Sequence, residues 1–430
     1  MDPARKLSLS AKIFIAMILG AIAGLVLNFL GNPEWSQVWL TGGLLYVIGQ
    51  IFISLLKMLV VPLVFVSLVC GSSSLSDPKM LGRVGSKTIG LYLLTTAIAV
   101  SLALGAAIIF KPGIGAHPVA AIGTDVAEAT PFTQVIIDMV PTNPIAAMAE
   151  GQMLPIIFFA VLLGISITLS KEIGVRVADW FKDVNAVIMK LVTLVMRFAP
   201  YGVFSLIAIL TATSNSDDFL AVGRYVLLVM IMLFVHALVV YPALLTLLGR
   251  LNPLTFMSKL RAAMIFAFST ASSNATIPVT LDTIERRVGV SNKIASFTIP
   301  LGATINMDGT AIMQGIATGF IAQFYGIDLT VSQYLMVVVM VILASIGAAG
   351  VPSVGLVILA GVLSQVGLPA EGIALILGVD RLLDMTRTVV NITGDSTVTT
   401  IVAKSEGELD MDIFNDPDAG LIYDDEENNA

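Results

Sequence analysis

In the segment DRLLDMTRTVVNITGDS, residues 380–396, five polar side chains recur at fixed spacing. Asp380, Asp384, Arg387, Asn391 and Asp395 fall at offsets 0, 4, 7, 11 and 15. On a helix turning about 100° per residue these offsets cover an arc of about 80°. Such a stripe offers three carboxylates, an amide and a guanidinium, the fork that matches a carboxylate. Adding Asp308 of NMDGT makes four acids against one base, a surplus of three negative charges. Either the acids take up protons or cations bind to them.

The surroundings make that surplus costly. The chain has 430 residues, 57% of them hydrophobic and 12% charged. Uncharged runs at 13–31, 88–110 and 225–249 are each long enough to cross a hydrocarbon core of about 30 Å as a helix. Nothing alternates as a barrel strand does, so the expectation is an all-α polytopic membrane protein. An ionised residue at the centre of such a helix costs about 2.5–3.5 kcal/mol even on lenient scales. Arg5, Lys6 and Lys12 precede the first apolar run without a small-residue cleavage site, which reads as a retained first helix. The single cysteine, Cys70, reads as a small buried hydrophobe.

Segment 405–430 carries ten acidic residues and no basic ones. It reads as an acidic, disordered cytoplasmic tail. Clusters of Lys and Arg at 5–12, 79–87, 171–182, 250–261 and 286–293, with Lys404, mark cytoplasmic loops and place both termini inside. Two of these clusters flank a segment of about 25 residues centred on FSTASSNATIP (268–278). That segment, its small hydroxylated middle ended by Pro278, reads as a re-entrant hairpin, since irregular backbone at membrane depth must be buried in protein. GAAGVPSVG (347–355) between two apolar arms reads as a second hairpin, entering from the other face. The plainer alternatives are helix capping by the serines and close helix packing by the small residues. Each hairpin precedes a helix with a polar interruption, ATINMDGT (303–310) and then NITGDS (391–396). The pattern is an inverted repeat of the kind that builds binding sites in transporters.

Charge balance then suggests the cargo. Arg387 suits one carboxylate and the N–H groups at a hairpin tip suit a second. Asp384 suits an ammonium, so an acidic amino acid satisfies every charge. An enzyme is disfavoured because the acids lack a His or Cys partner; His117 and His236 lie in a loop and in an apolar helix. Nothing points to an organic cofactor or to nucleic acid.

MLVVPLVF (58–65), MVPTNP, LPIIFFAVLLGI, SSNATIPVT, LGATINMDGT, GAAGVPSVG and DMTRTVVNITGDS together resemble the dicarboxylate/amino acid:cation symporter family, in its sodium-coupled glutamate/aspartate branch. The resemblance implies eight transmembrane helices plus the two hairpins, an elevator mechanism and a homotrimer in lipid of the cell membrane. It assigns 1–80 and 113–216 to a scaffold, and 81–112 and 217–404 to a transport part. Within the latter lie hairpin one (252–285), helix seven (290–325), hairpin two (333–367) and helix eight (370–404). Substrate would meet Ser272, Ser273, Thr310, Val351, Gly355, Asp384, Arg387, Thr388 and Asn391, with Asp380 supporting Arg387. Co-transported Na⁺ would use Gly302, Asn306, Asn391 and Asp395 at one site. Thr304, Ser345, Ile346 and Ala348 would form a second. Tyr92, Thr95, Thr96, Asn306 and Asp308 would form a third. Where some members carry a second arginine, this chain has Ala271 and Met385. Proton coupling, C4-dicarboxylate transport and a passive channel stand as the alternatives.

Overall fold

The computed structural model describes residues 9–31, 33–73, 81–115, 137–213, 216–346 and 354–420. Every regular element among them is helical, and the one extended pairing is an isolated antiparallel bridge, Val290 to Leu409. The first half supplies α1 (Leu9–Phe29), α2 (Leu45–Ser73), α3 (Ser86–Phe110), α4 (Met153–Leu169), α5 (Lys171–Met196) and α6 (Ala199–Thr213). The second supplies α7 (Ser216–Val235), α8 (Arg261–Thr270), α9 (Ser273–Asp282), α10 (Asn292–Ile305) and α11 (Asp308–Phe324). It continues with α12 (Val331–Ser345), α13 (Val354–Gln365), α14 (Asp380–Glu406) and α15 (Met411–Asn415).

Among the described residues three stretches are long and apolar enough to cross a membrane: Ser36–Leu55, Arg83–Phe110 and Leu220–Gly249. Lys171–Val195 with Ala199–Ile209, bent by 47°, makes a fourth if it is one broken span. Further apolar helices are shorter, among them Ile15–Phe29, Pro155–Leu169, Val331–Ser345 and Val354–Gln365, and a polar break at Asn306–Met307 separates α10 from α11.

Two sets of helices pack among themselves. In one, α1 runs along α6, and α2 packs on α4, α5 and α6. Small residues permit the first contact: a Cβ on Gly20 would stand 2.6 Å from the Phe204 carbonyl oxygen. In the other set, α14 is the common neighbour, touching α3, α7, α8, α9, α10 and α11. The sets meet where α13 lies against α2 and α4, and α12 against α4.

Helices α8 and α9 fold onto one another across Ala271 and Ser272. Ala271 adopts φ +50°, a left-handed conformation unusual for alanine, and the Ser272 hydroxyl caps α9 by accepting from Ala275 N–H. Pro278 does not end the hairpin tip as the sequence suggested; it lies within α9. Helices α12 and α13 also pack together, while the second tip, with Ala348 and Val351, lies outside the described residues.

The reading of 405–430 as a disordered tail is corrected for 405–420; residues 421–430 lie outside the described ones. Beyond α14 the chain turns at Gly407 and binds the bases of α9 and α10. Ser291 N–H donates to the Glu408 carbonyl (3.0 Å) and Asp410 N–H to the Gly289 carbonyl (2.8 Å). Phe414 of α15 is buried in a cluster with Phe256, Leu260, Ile284 and Val288. The Lys259 amino group, buried beneath, donates to the carbonyls of Arg287 (2.6 Å), Ile413 (2.7 Å) and Asp416 (2.7 Å). Composition alone could not show this, because an acidic segment docks when backbone carbonyls and bases receive it.

Two expectations follow. Lys259→Met leaves three carbonyls without their donor and should destabilise the protein by about 1–3 kcal/mol, read as a lower unfolding temperature in detergent. Hydrogen bonds from Lys87 and Arg83 hold the Glu406 carboxyl below its ordinary 4.5. Its stabilisation is therefore complete above that value and lost as pH falls through the lower, folded-state value. Unfolding temperature should fall less steeply on acidification in Glu406→Gln than in the wild-type protein.

Candidate functional site

Helix α14 sets the scale of the site. At 1.5 Å per residue, Asp380 and Asp395 stand about 22 Å apart along its axis. The stripe therefore serves two separate ends. NITGDS, expected to interrupt the helix, does not: α14 runs unbroken from Asp380 to Glu406. Gly394 is there for packing, since a Cβ on it would lie 2.4 Å from the Tyr241 hydroxyl.

At the first end, Arg387 is 1% exposed and its Nη2 lies 2.7 Å from Asp384 Oδ1 and 3.0 Å from Asp380 Oδ1. Its Nε and Nη1 have no hydrogen-bond partner among the described residues. Buried guanidinium nitrogens are ordinarily satisfied, so this face is prepared for an acceptor that arrives from outside. Gly355 of α13 borders it, and a Cβ there would stand 3.0 Å from Thr310 and 3.4 Å from Arg387 Nη1. Gln314 Nε2 donates to the Gly355 carbonyl (3.2 Å), tying α13 to α11. Thr388 donates back to the Asp384 carbonyl (2.9 Å). Ser272 and Ser273 are buried at the first hairpin's tip, and α8 and α9 both pack on α14.

The charge count from the sequence is corrected at this end. Arg381, assigned no role there, places Nη1 3.7 Å from Asp384 Oδ2. It sits off the stripe by one residue, but its long side chain reaches the next turn. Asp380 and Asp384 thus face two guanidiniums, and the negative surplus belongs to the other end alone.

At that other end, the break Asn306–Met307 brings α10 and α11 against α3 and α14. Thr96 donates to Asp308 Oδ1 (2.7 Å) and Asn306 Nδ2 to Asp395 Oδ1 (2.9 Å). The Thr95 hydroxyl lies 3.1 Å from Asn306 Oδ1 and 3.0 Å from the Tyr92 carbonyl. Tyr92 itself donates to the Thr298 carbonyl (2.9 Å). Gly302 makes room: a Cβ there would be 2.5 Å from Asp395 Oδ1 and 2.6 Å from the Tyr92 hydroxyl. Asn391 joins the two ends, its Oδ1 accepting from Gly309 N–H (2.8 Å). Asp308, Asn306 and Thr96 are 0% exposed. Carboxylate, amide and hydroxyl oxygens crowded in this way, with no lysine or arginine among the described residues around them, are the donor set of a hard cation.

Ser345 and Ile346 end α12, and Ile346 packs on the cluster holding Leu301 and Ile305, near Thr304. The Ser345 and Thr304 hydroxyls bond within their own helices, to Ile342 and Leu301 carbonyls. Their side chains are thus engaged locally, and Ala348 lies outside the described residues.

Two residues here were missed from the sequence. The Tyr241 hydroxyl lies 2.8 Å from Asp308 Oδ2, and His236 Nε2 lies 3.3 Å from the same oxygen. Five residues apart, they would point about 140° from each other on a regular helix. A wide turn, His236–Val240, closed by Tyr241 N–H on the His236 carbonyl, brings the two rings to a 4.6 Å centroid separation. A histidine within the apolar run LFVHALVVYP was the available signal.

A profile of the sodium:dicarboxylate symporter family matches residues 9–405. The chain is 38% identical to a proton/glutamate-aspartate symporter of Escherichia coli over 94% of each chain. It is 37% identical to a proton/sodium-glutamate symport protein of Bacillus caldotenax over 94% of this chain and 96% of that one. An excitatory amino acid transporter of Caenorhabditis elegans is 34% identical over 92% of this chain and 87% of its own.

Gly394→Ala should push the Tyr241 hydroxyl off Asp308 and loosen the oxygen cluster. The rise in unfolding temperature that added NaCl produces over equimolar choline chloride should shrink in this variant. An undiminished rise would separate Tyr241 from cation binding.

Proposed function

This chain belongs to the sodium:dicarboxylate symporter family, a family of membrane transporters, and on that premise we propose that it takes up glutamate or aspartate together with several Na⁺ ions. The observation that carries the reading is the buried Arg387, with Nε and Nη1 unpartnered among the described residues, Nη1 beside Gly355 of α13, and its third nitrogen held by Asp384 and Asp380. A substrate carboxylate completes that guanidinium, and Asp384 receives the ammonium. Thr310, Thr388, Asn391, Gly355, Val351 and the serines 272 and 273 shape the rest of the pocket.

Na⁺ binds at the opposite end, on Asp308, Thr96, Thr95, Asn306 and Tyr92, and beside Asp395, Gly302 and Asn391. A further ion uses backbone oxygens of Thr304, Ser345, Ile346 and Ala348 beneath the second hairpin. Two carboxylates facing no lysine or arginine among the described residues cross a low-dielectric barrier only when neutralised, so movement waits for loading. Asn391 touches α11 at Gly309, which links cation occupancy to the shape of the substrate pocket. The helices packed around α14 form the moving part of an elevator, α13 and the second hairpin its extracellular gate. The α1, α2 and α4–α6 set forms the scaffold of a homotrimer, with both termini cytoplasmic.

Proton coupling is the second reading, favoured by the name of the Escherichia coli relative and by His236 beside Asp308. Uptake of labelled aspartate and glutamate into proteoliposomes, with and without an inward Na⁺ gradient at matched pH, decides between them. Concentrative uptake should require Na⁺; equal uptake under a proton gradient alone would favour the second reading. Arg387→Cys removes one partner of a buried pair, a loss of about 3–5 kcal/mol, and should reduce acidic amino-acid uptake more than 100-fold. Unchanged uptake would remove Arg387 from the substrate site.

A further inference from the structure

The two guanidiniums on Asp384 are held very differently. Arg387 is 1% exposed and makes a 2.7 Å hydrogen bond to Oδ1. Arg381 retains 19% side-chain exposure, and its Nη1 approaches Oδ2 only to 3.7 Å, beyond hydrogen-bond range. Its buried Nε has no partner among the described residues. Arg381 is therefore attracted to Asp384 without being bonded to it, on a long side chain anchored in the first turn of α14.

We infer that Arg381 is a specificity-determining residue: a tethered cation that stands where a substrate ammonium would approach Asp384, and that sets the preference for acidic amino acids over dicarboxylates lacking an amino group. The inference rests on the assignment of Asp384 to the ammonium made above.

Charge bookkeeping gives the direction. Asp380, Asp384, Arg381 and Arg387 sum to zero. An acidic amino acid brings two carboxylates and one ammonium, so it must displace Arg381 from Asp384 while the freed guanidinium stays nearby. A dicarboxylate brings two negative charges and no competitor for Asp384, so Arg381 keeps neutralising that acid. Removing the Arg381 charge relieves the ammonium of competition and leaves the dicarboxylate facing an Asp384 offset by Arg387 alone. The two ligand classes are thus driven apart, whatever happens to the absolute affinity of either.

The test is competition in proteoliposomes: labelled aspartate uptake against unlabelled succinate, giving the ratio of the succinate inhibition constant to the aspartate KM. In Arg381→Gln that ratio should rise roughly fivefold or more, as expected for one unit charge near 4 Å. Arg381→Ala should give the same rise. Arg381→Lys, which keeps the charge, should stay within about twofold of wild type. An unchanged ratio in both neutral variants overturns the inference, as does a lysine variant that shifts as far as they do. A folded wild-type protein that takes up no aspartate sinks the acidic amino-acid reading itself, and is recognised before any variant is compared.

Discussion

The helices packed around α14 are arranged about ionisable groups that cannot be hydrated where they stand. Asp308, Asp380, Asp384, Asp395 and Arg387 are all less than a tenth exposed. In a medium of low dielectric each such charge costs several kcal/mol unless a partner is close and correctly oriented. Helix α14 answers by supplying most of the groups from one face. The helices around it supply the matching dipoles: Thr96 from α3, Asn306 from the break before α11, and Tyr241 from the turn after α7.

The two ends of the stripe balance their charges by different means. Near Arg387 the balance is internal, two acids against two guanidiniums, so the pocket tolerates standing empty of ligand. Around Asp308 and Asp395 no lysine or arginine is found among the described residues; hydroxyls, an amide and the His236 imidazole surround the acids. In the proposed reading that difference gives symport a physical basis: one end would select cargo and the other would sense whether the ions are aboard. Asn391, midway between them, bonds the start of α11.

The cytoplasmic edge follows a similar economy of partners. Lys259 is nearly as buried as Arg387, yet it meets three backbone carbonyls rather than an acid. Its charge is spread over dipoles that the docked C-terminal segment brings, while Glu406 and Glu408 engage Arg83, Lys87 and Lys293 at the rim. Through these contacts the ends of α3, α10 and α14 and the base of the first hairpin are tied into one corner.

Much of this was legible in the residues themselves. Apolar length specified helices in lipid, the 380–395 spacing placed five polar groups on one face, and NMDGT marked a break at Asn306–Met307 where helix hydrogen bonding fails. These features are local, because periodicity and backbone chemistry act within a few turns. What the sequence could not show arises between elements. Arg381 reaches Asp384 only because its side chain spans the angle separating it from the stripe. Tyr241 and His236 converge on Asp308 only because a wide turn changes the helical period. The acidic segment docks where Lys259 binds its own Ile413 and Asp416 carbonyls together with the Arg287 carbonyl. Composition and spacing decided which charges enter the membrane; which charge meets which was left to packing, since a contact across helices depends on angles and reach that no single segment encodes.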